Sequence, residues 1–163
     1  MKKTLLALAL IGASTTAMAD SFIYGGASVG SSSLDSEDAT SYSIHAGTGL
    51  LPFIGLEAGY TDHGKFEFTP GGDVKASSVY FAVKPSINFG PLQVYAKGGV
   101  HSWDMTGNGG VNFNDDDSYD MMYGVGADYA VFGPISLGAN YMNYVMDNED
   151  IGTFSLTASF NFL

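Results

Sequence analysis

The sequence predicts an all-β fold, an eight-stranded antiparallel up-and-down β-barrel that crosses a membrane. Three observations support this prediction: an N-terminal export leader, about eight segments with a two-residue hydrophobic period, and short turns that alternate with longer acidic connections. Successive side chains of a strand point to opposite faces, so a two-residue period gives each segment two different faces. Here one face is large and apolar and the other is small or polar, which indicates a wall between two environments.

The leader is the stretch "MKKTLLALALIGASTTAMAD". Lys2 and Lys3 precede a short apolar run, and the segment ends in Ala-Met-Ala. This order is typical of a secretory signal peptide, and the apolar run is too short to span a bilayer as a helix. We therefore expect cleavage after Ala19, with residues 1–19 removed and residues 20–163 forming one barrel domain.

The alternation is clearest between Tyr119 and Val131, where large apolar residues occupy the odd positions. Each such segment is close to the length that crosses a bilayer as a tilted strand. Pro85 cannot donate to a strand ladder, so we expect a bulge or a local gap at that position. The other alternating segments begin at Ile23, Tyr42, Ile54, Val79, Leu92, Ile135 and Phe154.

The connections differ in length and charge. Leu-Pro at 51–52 and Gly-Pro at 90–91 and 133–134 predict tight turns, whereas 31–41, 63–74, 104–118 and 147–152 are long and mostly acidic. Short turns at one end and long loops at the other are typical of outer-membrane barrels, whose long loops lie outside the cell. The second of these predicted loops contains His63. A soluble ligand-binding barrel would place its large apolar face inward, which the charges on the small face argue against.

The charge balance excludes some classes of function. The chain has 17 acidic residues, 6 lysines and no arginine, for a net charge of −11. Outside the leader, the lysines are at positions 65, 75, 84 and 97. Nucleic-acid binding requires clusters of basic residues, so we expect no nucleic-acid partner. Without cysteine there is no disulfide framework, and we expect no cofactor.

Four charged residues fall on the small, inward face of neighbouring strands: Glu57, Lys84, Lys97 and Asp128. Each is a few residues from a tight turn, so the four are expected at similar depth. Buried charges need partners, and their order predicts that Glu57 pairs with Lys84 and Asp128 with Lys97. The interior of an eight-stranded barrel is just wide enough for side chains to fill. We therefore expect these residues to plug the lumen.

Several stretches resemble the OmpA-type transmembrane domain: "LPFIGLEAGYTDHG", "VYAKGGVHSW", "GVGADYAVFGPISLGANY" and the ending "FSLTASFNFL". Small OmpX-type barrels share this architecture. The resemblance implies an eight-stranded barrel in the Gram-negative outer membrane, with an interior charged network rather than an open pore. It also places Glu57, Lys84, Lys97 and Asp128 at inward charged positions of the family.

The resemblance has limits. Ser28 and Gly138 stand where the family carries an inward lysine and an inward arginine, so the family's ion-pair switch does not transfer as a whole. The family's peptidoglycan-binding domain is not expected, because the sequence ends with the barrel.

We expect a monomer with a structural or interaction role at the cell surface: envelope integrity, or contact with lipopolysaccharide, a host surface or a phage through the acidic loops. A small gated pore is the main alternative. A lipid A-modifying enzyme is disfavoured, because no nucleophile, base and orienting group converge. His45 and His101 are predicted to point inward, but from strands that are not neighbours.

Asp115, Asp116 and Asp117 form a candidate weak cation site in the third long loop, since clustered carboxylates suit calcium. The stretch lacks the spacing of an EF-hand, which favours a solvated acidic loop. Divalent cations that bridge to lipopolysaccharide phosphates remain an open alternative.

Overall fold

A computed structural model describes residues 23–34, 37–51, 53–68, 72–108, 117–146 and 149–162. Every strand pairs antiparallel with the next in sequence, and β1 also pairs with β8, so the barrel is closed. The predicted fold class is therefore confirmed. No helix in these ranges is long and apolar enough to cross a membrane. The strands are β1 Ile23–Leu34, β2 Glu37–Leu51, β3 Ile54–Phe68, β4 Gly72–Phe89, β5 Leu92–Asn108, β6 Asp117–Phe132, β7 Ile135–Met146 and β8 Glu149–Phe162.

The strands extend through most of the connections predicted to be long loops. Between strands at that end lie only residues 35–36, 69–71, 109–116 and 147–148. The prediction that His63 lies in a loop is wrong, because His63 is part of β3. The outer parts of the strands are rich in Ser, Thr, Asp and Gly, so they lack the apolar alternation by which a strand is recognised. Their backbone ladders continue nevertheless.

The two faces of the wall match the predicted alternation. Large apolar side chains such as Phe81, Val125 and Leu156 are more than half exposed on the outer surface. Serine, threonine and charged side chains, among them Ser28 and Thr157, are buried inside. A continuous apolar belt on the outside is costly in water and favourable in lipid.

The wall is strongly staggered, because barrel strands tilt relative to the barrel axis. A row of residues paired from strand to strand starts at Tyr24, near the first end of β1, and ends at Ile151 on β8. Ile151 is next to Gly152, which pairs with Ser33 at the other end of β1. Residues paired across neighbouring strands are therefore not at the same depth in the membrane. The complete row is Tyr24, Gly47, Glu57, Ala82, Gly99, Met122, Tyr144 and Ile151.

Pro85 produces a gap in the ladder rather than a bulge. Pairing of β4 with β5 stops at Val83–Gly98 and resumes at Ser86–Tyr95 in the same register. The missing donor of proline explains the gap, one of the two outcomes expected from the sequence.

A bulge occurs instead in β3, where the register with β4 shifts between Asp62 and Gly64. His63 is the extra residue, and Gly64 adopts a φ of 85°. Only glycine reaches this region without strain, and the Gly64 N–H donates to Asp62 Oδ1 at 2.9 Å. Bulges redirect side chains, and this one leaves His63 fully buried inside the barrel.

Candidate functional site

The four inward charges form two ion pairs in the lumen. Lys97 Nζ lies 2.5 Å from Glu57 Oε1, and Lys84 Nζ lies 3.3 Å from Asp128 Oδ2. The predicted pairing, Glu57 with Lys84 and Asp128 with Lys97, is therefore wrong. The residues were identified correctly as inward charges, but their partners are exchanged.

The stagger of the wall explains the exchange. Each step from one strand to the next along this row of paired residues, from β1 to β8, moves toward the loop end of the barrel. The β5 residue at the same depth as Glu57 therefore lies nearer to the tight turn than Gly99, which is the β5 residue of the row. Lys97 occupies that level. Asp128 pairs in register with Gln93, close to the turn, where Lys84 is the basic side chain within reach. Depth counted along each strand from its turn ignores this offset.

Two tyrosines complete the environment of Glu57. The Tyr24 hydroxyl donates to Glu57 Oε2 at 2.8 Å, and the Tyr80 hydroxyl donates to Oε1 at 2.7 Å. Glu57 is 1% exposed, so these donors and Lys97 replace the water that a carboxylate would otherwise bind. Sequence reasoning missed both tyrosines as partners, although their inward parity was the signal that could have identified them.

The lysines also contact aromatic rings. Lys84 Nζ lies 4.0 Å from the ring centroid of Tyr95 and 4.8 Å from that of Tyr24, and Lys97 Nζ lies 5.2 Å from that of Tyr95. These distances suit cation–π attraction. Asp128 Oδ1, the carboxylate oxygen that does not contact Lys84, accepts a hydrogen bond from Thr157 Oγ1 at 3.1 Å. We call this set the charged layer: Tyr24, Glu57, Tyr80, Lys84, Tyr95, Lys97, Asp128 and Thr157.

A second layer fills the lumen nearer the loop end. The rings of His63 and His101 meet the ring of Tyr144 edge-on, with centroids 4.6 Å and 5.3 Å away. Met122 and Ile151 are buried in the same region, at 1% and 0% exposure. The small-or-polar face did not predict this apolar filling. We call it the outer layer: Leu34, His63, His101, Trp103, Met122, Met142, Tyr144, Met146 and Ile151.

The histidines point inward and are hydrogen-bonded to the wall. His63 Nε2 lies 2.9 Å from Ser78 Oγ, and His45 Nε2 lies 3.3 Å from Ser159 Oγ. His101 Nε2 donates to the Val145 carbonyl at 2.9 Å. The inward orientation predicted for His45 and His101 is thus seen in the structure.

The described residues contain no group of three or more His, Cys, Asp or Glu side chains that could hold a metal ion. Asp115 and Asp116 lie outside the described residues, and for Asp117 the structure gives the backbone pairing with Asp104. The predicted cation site therefore stays a prediction. The expected signal peptide also lies outside the described residues.

Small cavities lie in the lumen among the described residues. One cavity of about 40 Å³ lies at the tight-turn end, bordered by Lys84 and Asp128. Another, of about 20 Å³, lies between the two layers and is bordered by Ser41, Lys97 and Met142. Volumes of this size hold roughly one to a few water molecules.

A closed barrel with an apolar belt outside and charged and polar side chains inside defines a transmembrane outer-membrane barrel, because closure pairs the backbone groups of every strand within the bilayer. The tight turns then face the periplasm and the loop end faces the exterior. The chain belongs to the outer membrane protein beta-barrel domain family, whose model matches residues 4–162. This membership places the chain in the outer membrane of a Gram-negative bacterium and confirms the OmpA-like resemblance at the level of this family.

Solved structures share the fold. The N-terminal β-barrel domain of Pseudomonas aeruginosa OprF aligns with a TM-score of 0.64 at 15% identity, covering 85% of this chain and 97% of that one. Neisserial surface protein A aligns with a TM-score of 0.63 at 21% identity, covering 86% and 96%. Ail, the attachment invasion locus protein of Yersinia pestis, was solved with the heparin analogue sucrose octasulfate and aligns at 0.59 and 15% identity, covering 86% and 96%.

The outer-membrane enzyme PagL shares the fold as well, with a TM-score of 0.52 at 17% identity and coverage of 85% and 99%. The fold alone therefore does not decide whether a chain is an enzyme. Sequence comparison with curated proteins found no match.

Proposed function

We propose that this chain is a closed, non-enzymatic barrel that works as a structural and surface-contact protein of the outer membrane. The observation that carries the proposal is the presence of two successive layers of buried side chains in the lumen, the charged layer and the outer layer. An ion crossing the barrel would have to displace the Glu57–Lys97 pair and its tyrosines, and then pass the outer layer, where Met122, Met142 and Ile151 are buried.

Planar-bilayer conductance tests the closed lumen. Lys84→Gln/Lys97→Gln breaks the charged layer, and Met122→Ala/Tyr144→Ala opens the outer layer. We expect each double variant to conduct as little as the unmodified barrel, because the other layer still closes the lumen, and the combined quadruple variant to conduct. Met121→Ala/Tyr123→Ala is the matched control, since these neighbouring side chains of the same types face the lipid. Steady conductance of the unmodified barrel would favour the alternative, a small gated pore.

The surface role is supported by the acidity of the outer strand ends, where Asp38, Asp104 and Asp150 are exposed. Ail was solved with a sulfated heparin analogue. An acidic outer end repels such a polyanion, so we propose contacts with lipopolysaccharide, a host surface or a phage that carry basic groups or bridging divalent cations. Binding to immobilised heparin at physiological salt is expected to be absent.

Genetic complementation separates the structural role from the contact role. Loss of the gene is expected to increase detergent sensitivity of the cells if the barrel supports the envelope. A barrel in which residues 35–36, 69–71, 109–116 and 147–148 are replaced by Gly-Ser sequences should restore resistance under a structural role. Failure of this variant, with normal folding and rescue by the native chain, would show that the external contacts carry the function.

The enzymatic alternative is disfavoured because His45, His63 and His101, the histidines of the described residues, are all buried. His63 and Ser78 lie 2.9 Å apart, but both are buried in the lumen, away from lipid. Incubation of the folded protein with lipopolysaccharide is therefore expected to release no fatty acid. We also propose that the chain is a monomer that is processed after Ala19. The intact mass of the membrane-extracted protein tests the cleavage site, and its mass in detergent solution, measured by light scattering, tests the oligomeric state.

A further inference from the structure

Three methionines are buried in the outer layer of the lumen. They are Met122, Met142 and Met146, whereas Met121, the neighbour of Met122 in the chain, is exposed on the lipid face. Methionine fills irregular space in many protein cores, so burial alone does not make these side chains ligands. The thioether sulfur is also a soft ligand that selects Cu(I), and imidazole nitrogen suits copper as well. A histidine nitrogen beside the methionines would therefore distinguish a metal site from simple packing.

His101 supplies such a nitrogen. Its Nε2 donates to the Val145 carbonyl at 2.9 Å, so in the neutral ring Nδ1 carries a lone pair and no proton. Nδ1 is buried and has no hydrogen-bond partner within the described residues. A histidine that binds a metal through one nitrogen usually donates the other N–H to a backbone carbonyl, a carboxylate or water. His101 has this arrangement, with Nδ1 as the nitrogen left for a ligand.

His63 is the contrasting case in the outer layer, because its ring contacts the same tyrosine as His101. Its Nε2 lies 2.9 Å from Ser78 Oγ, and its Nδ1 lies 3.5 Å from Ser32 Oγ. Both nitrogens of His63 therefore have hydroxyl partners. The wall accounts for His63 completely, and it does not account for His101 Nδ1.

The strand register brings two of the methionines close to His101. Met122 on β6 pairs with Gly99, which lies two positions before His101 on the same face of β5. Met146 on β7 directly follows Val145, whose carbonyl accepts the His101 N–H. The three rotatable bonds of a methionine side chain let each sulfur turn toward a shared ion. The two thioethers and the imidazole thus reach one point from three neighbouring strands.

We propose that His101 Nδ1 and the sulfurs of Met122 and Met146 form a binding site for Cu(I) in the outer half of the lumen. Asp120 is the direct β6 partner of His101, and its negative charge at this end of the barrel favours a cation. The described residues contain no group of three or more His, Cys, Asp or Glu side chains that could hold a metal ion, so the site requires the two sulfurs. The proposal does not depend on the closed-lumen function.

Cu(I) titration of the folded barrel in neutral detergent tests the site, under argon with ascorbate and with bicinchoninate as the competing chelator. We expect one Cu(I) per barrel. Trp103, the single tryptophan, lies two positions beyond His101 on the same face of β5, so bound Cu(I) should quench its fluorescence.

Met122→Leu/Met146→Leu removes both sulfurs but keeps apolar side chains of similar volume, so the barrel should remain folded. Loss of an outer partner of a metal ligand lowers metal affinity roughly 10–100-fold, and loss of these direct ligands should lower it at least as much. His101→Gln should weaken binding by a similar factor. If His101→Gln does not fold, the leucine variant decides the result, because heat-modifiable gel mobility shows whether each variant is folded.

Met121→Leu and Met142→Leu are the matched controls. Met121 faces the lipid, and Met142 is buried in the same layer but on the tight-turn side of Tyr144. Each control should keep the native affinity, and an equal loss in Met142→Leu would overturn the assignment of the ligands.

X-ray absorption at the copper edge identifies the ligand atoms. We expect sulfur and nitrogen neighbours in the native barrel and no sulfur in Met122→Leu/Met146→Leu. Unchanged affinity of that variant would overturn the proposal, as would displacement of Cu(I) by excess Ca²⁺, which prefers oxygen ligands. None of these measurements records conductance, so the closed-lumen proposal stands or fails separately.

Discussion

Glu57→Gln is the perturbation that tests the lumen most directly. It leaves the Lys97 ammonium buried, with 5% of its side chain exposed, and without its counter-charge. Removing one partner of a buried ion pair costs about 3–5 kcal/mol, and we expect this loss in the free energy of unfolding. Lys97→Met removes the stranded charge, so Glu57→Gln/Lys97→Met should cost less than the sum of the single changes. The coupling energy is expected to be at least about 2 kcal/mol.

Urea unfolding in phospholipid vesicles measures this cycle. Trp103 is the single tryptophan of the chain and is buried in the outer layer, so its fluorescence reports unfolding. The cycle of Glu57 with Lys84 is the internal control, because Lys84 is paired with Asp128, and its coupling should be about 1 kcal/mol or less. A larger coupling of Glu57 to Lys84 than to Lys97 would refute the pairing and the depth argument behind it.

Substitutions on the inner and outer faces of the strands should change the stability of the barrel by different amounts. Gly99→Ala should destabilise the barrel by about 1–3 kcal/mol in the same urea assay, because a Cβ at this position would overlap the backbone of Phe81 and Ala82. Gly98→Ala is the control on the lipid face. Its Cβ meets no other atom, so this change should be neutral or slightly stabilising. Val125→Arg places a charge in the middle of the lipid-facing belt and should cost about 2–4 kcal/mol. Ser136 borders the cavity at the tight-turn end of the lumen, and Ser136→Arg should cost under about 1 kcal/mol by the same measurement. Equal losses of stability for Val125→Arg and Ser136→Arg would contradict the assignment of the two faces.

The faces of the strands were predictable because a two-residue period is local. Val125 and Asp128 differ by an odd number of positions, so they must lie on opposite faces whatever the register. The outer strand ends were not recognised, because their outward side chains are mostly polar and the apolar alternation disappears there. His63 was assigned to a loop for this reason, and its inward position depends on a bulge that Gly64 and Asp62 make possible.

The residues of the charged layer were predictable for the same reason, but their partners were not. Parity identified Glu57 and Lys97 as inward, and it also placed Tyr24 and Tyr80 on that face. Whether two inward side chains meet depends on the stagger between strands, which one sequence does not contain.

The sequence by itself determined that the chain forms an alternating wall, with lipid on one side and a polar interior on the other, because each choice of face depends only on a residue and its neighbours. The tertiary structure decided which charges pair, which tyrosines bind Glu57 and where Met122 and Tyr144 pack in the outer half of the lumen. These contacts join residues far apart in the chain, and closing the tilted barrel fixes the offset that brings them to the same depth.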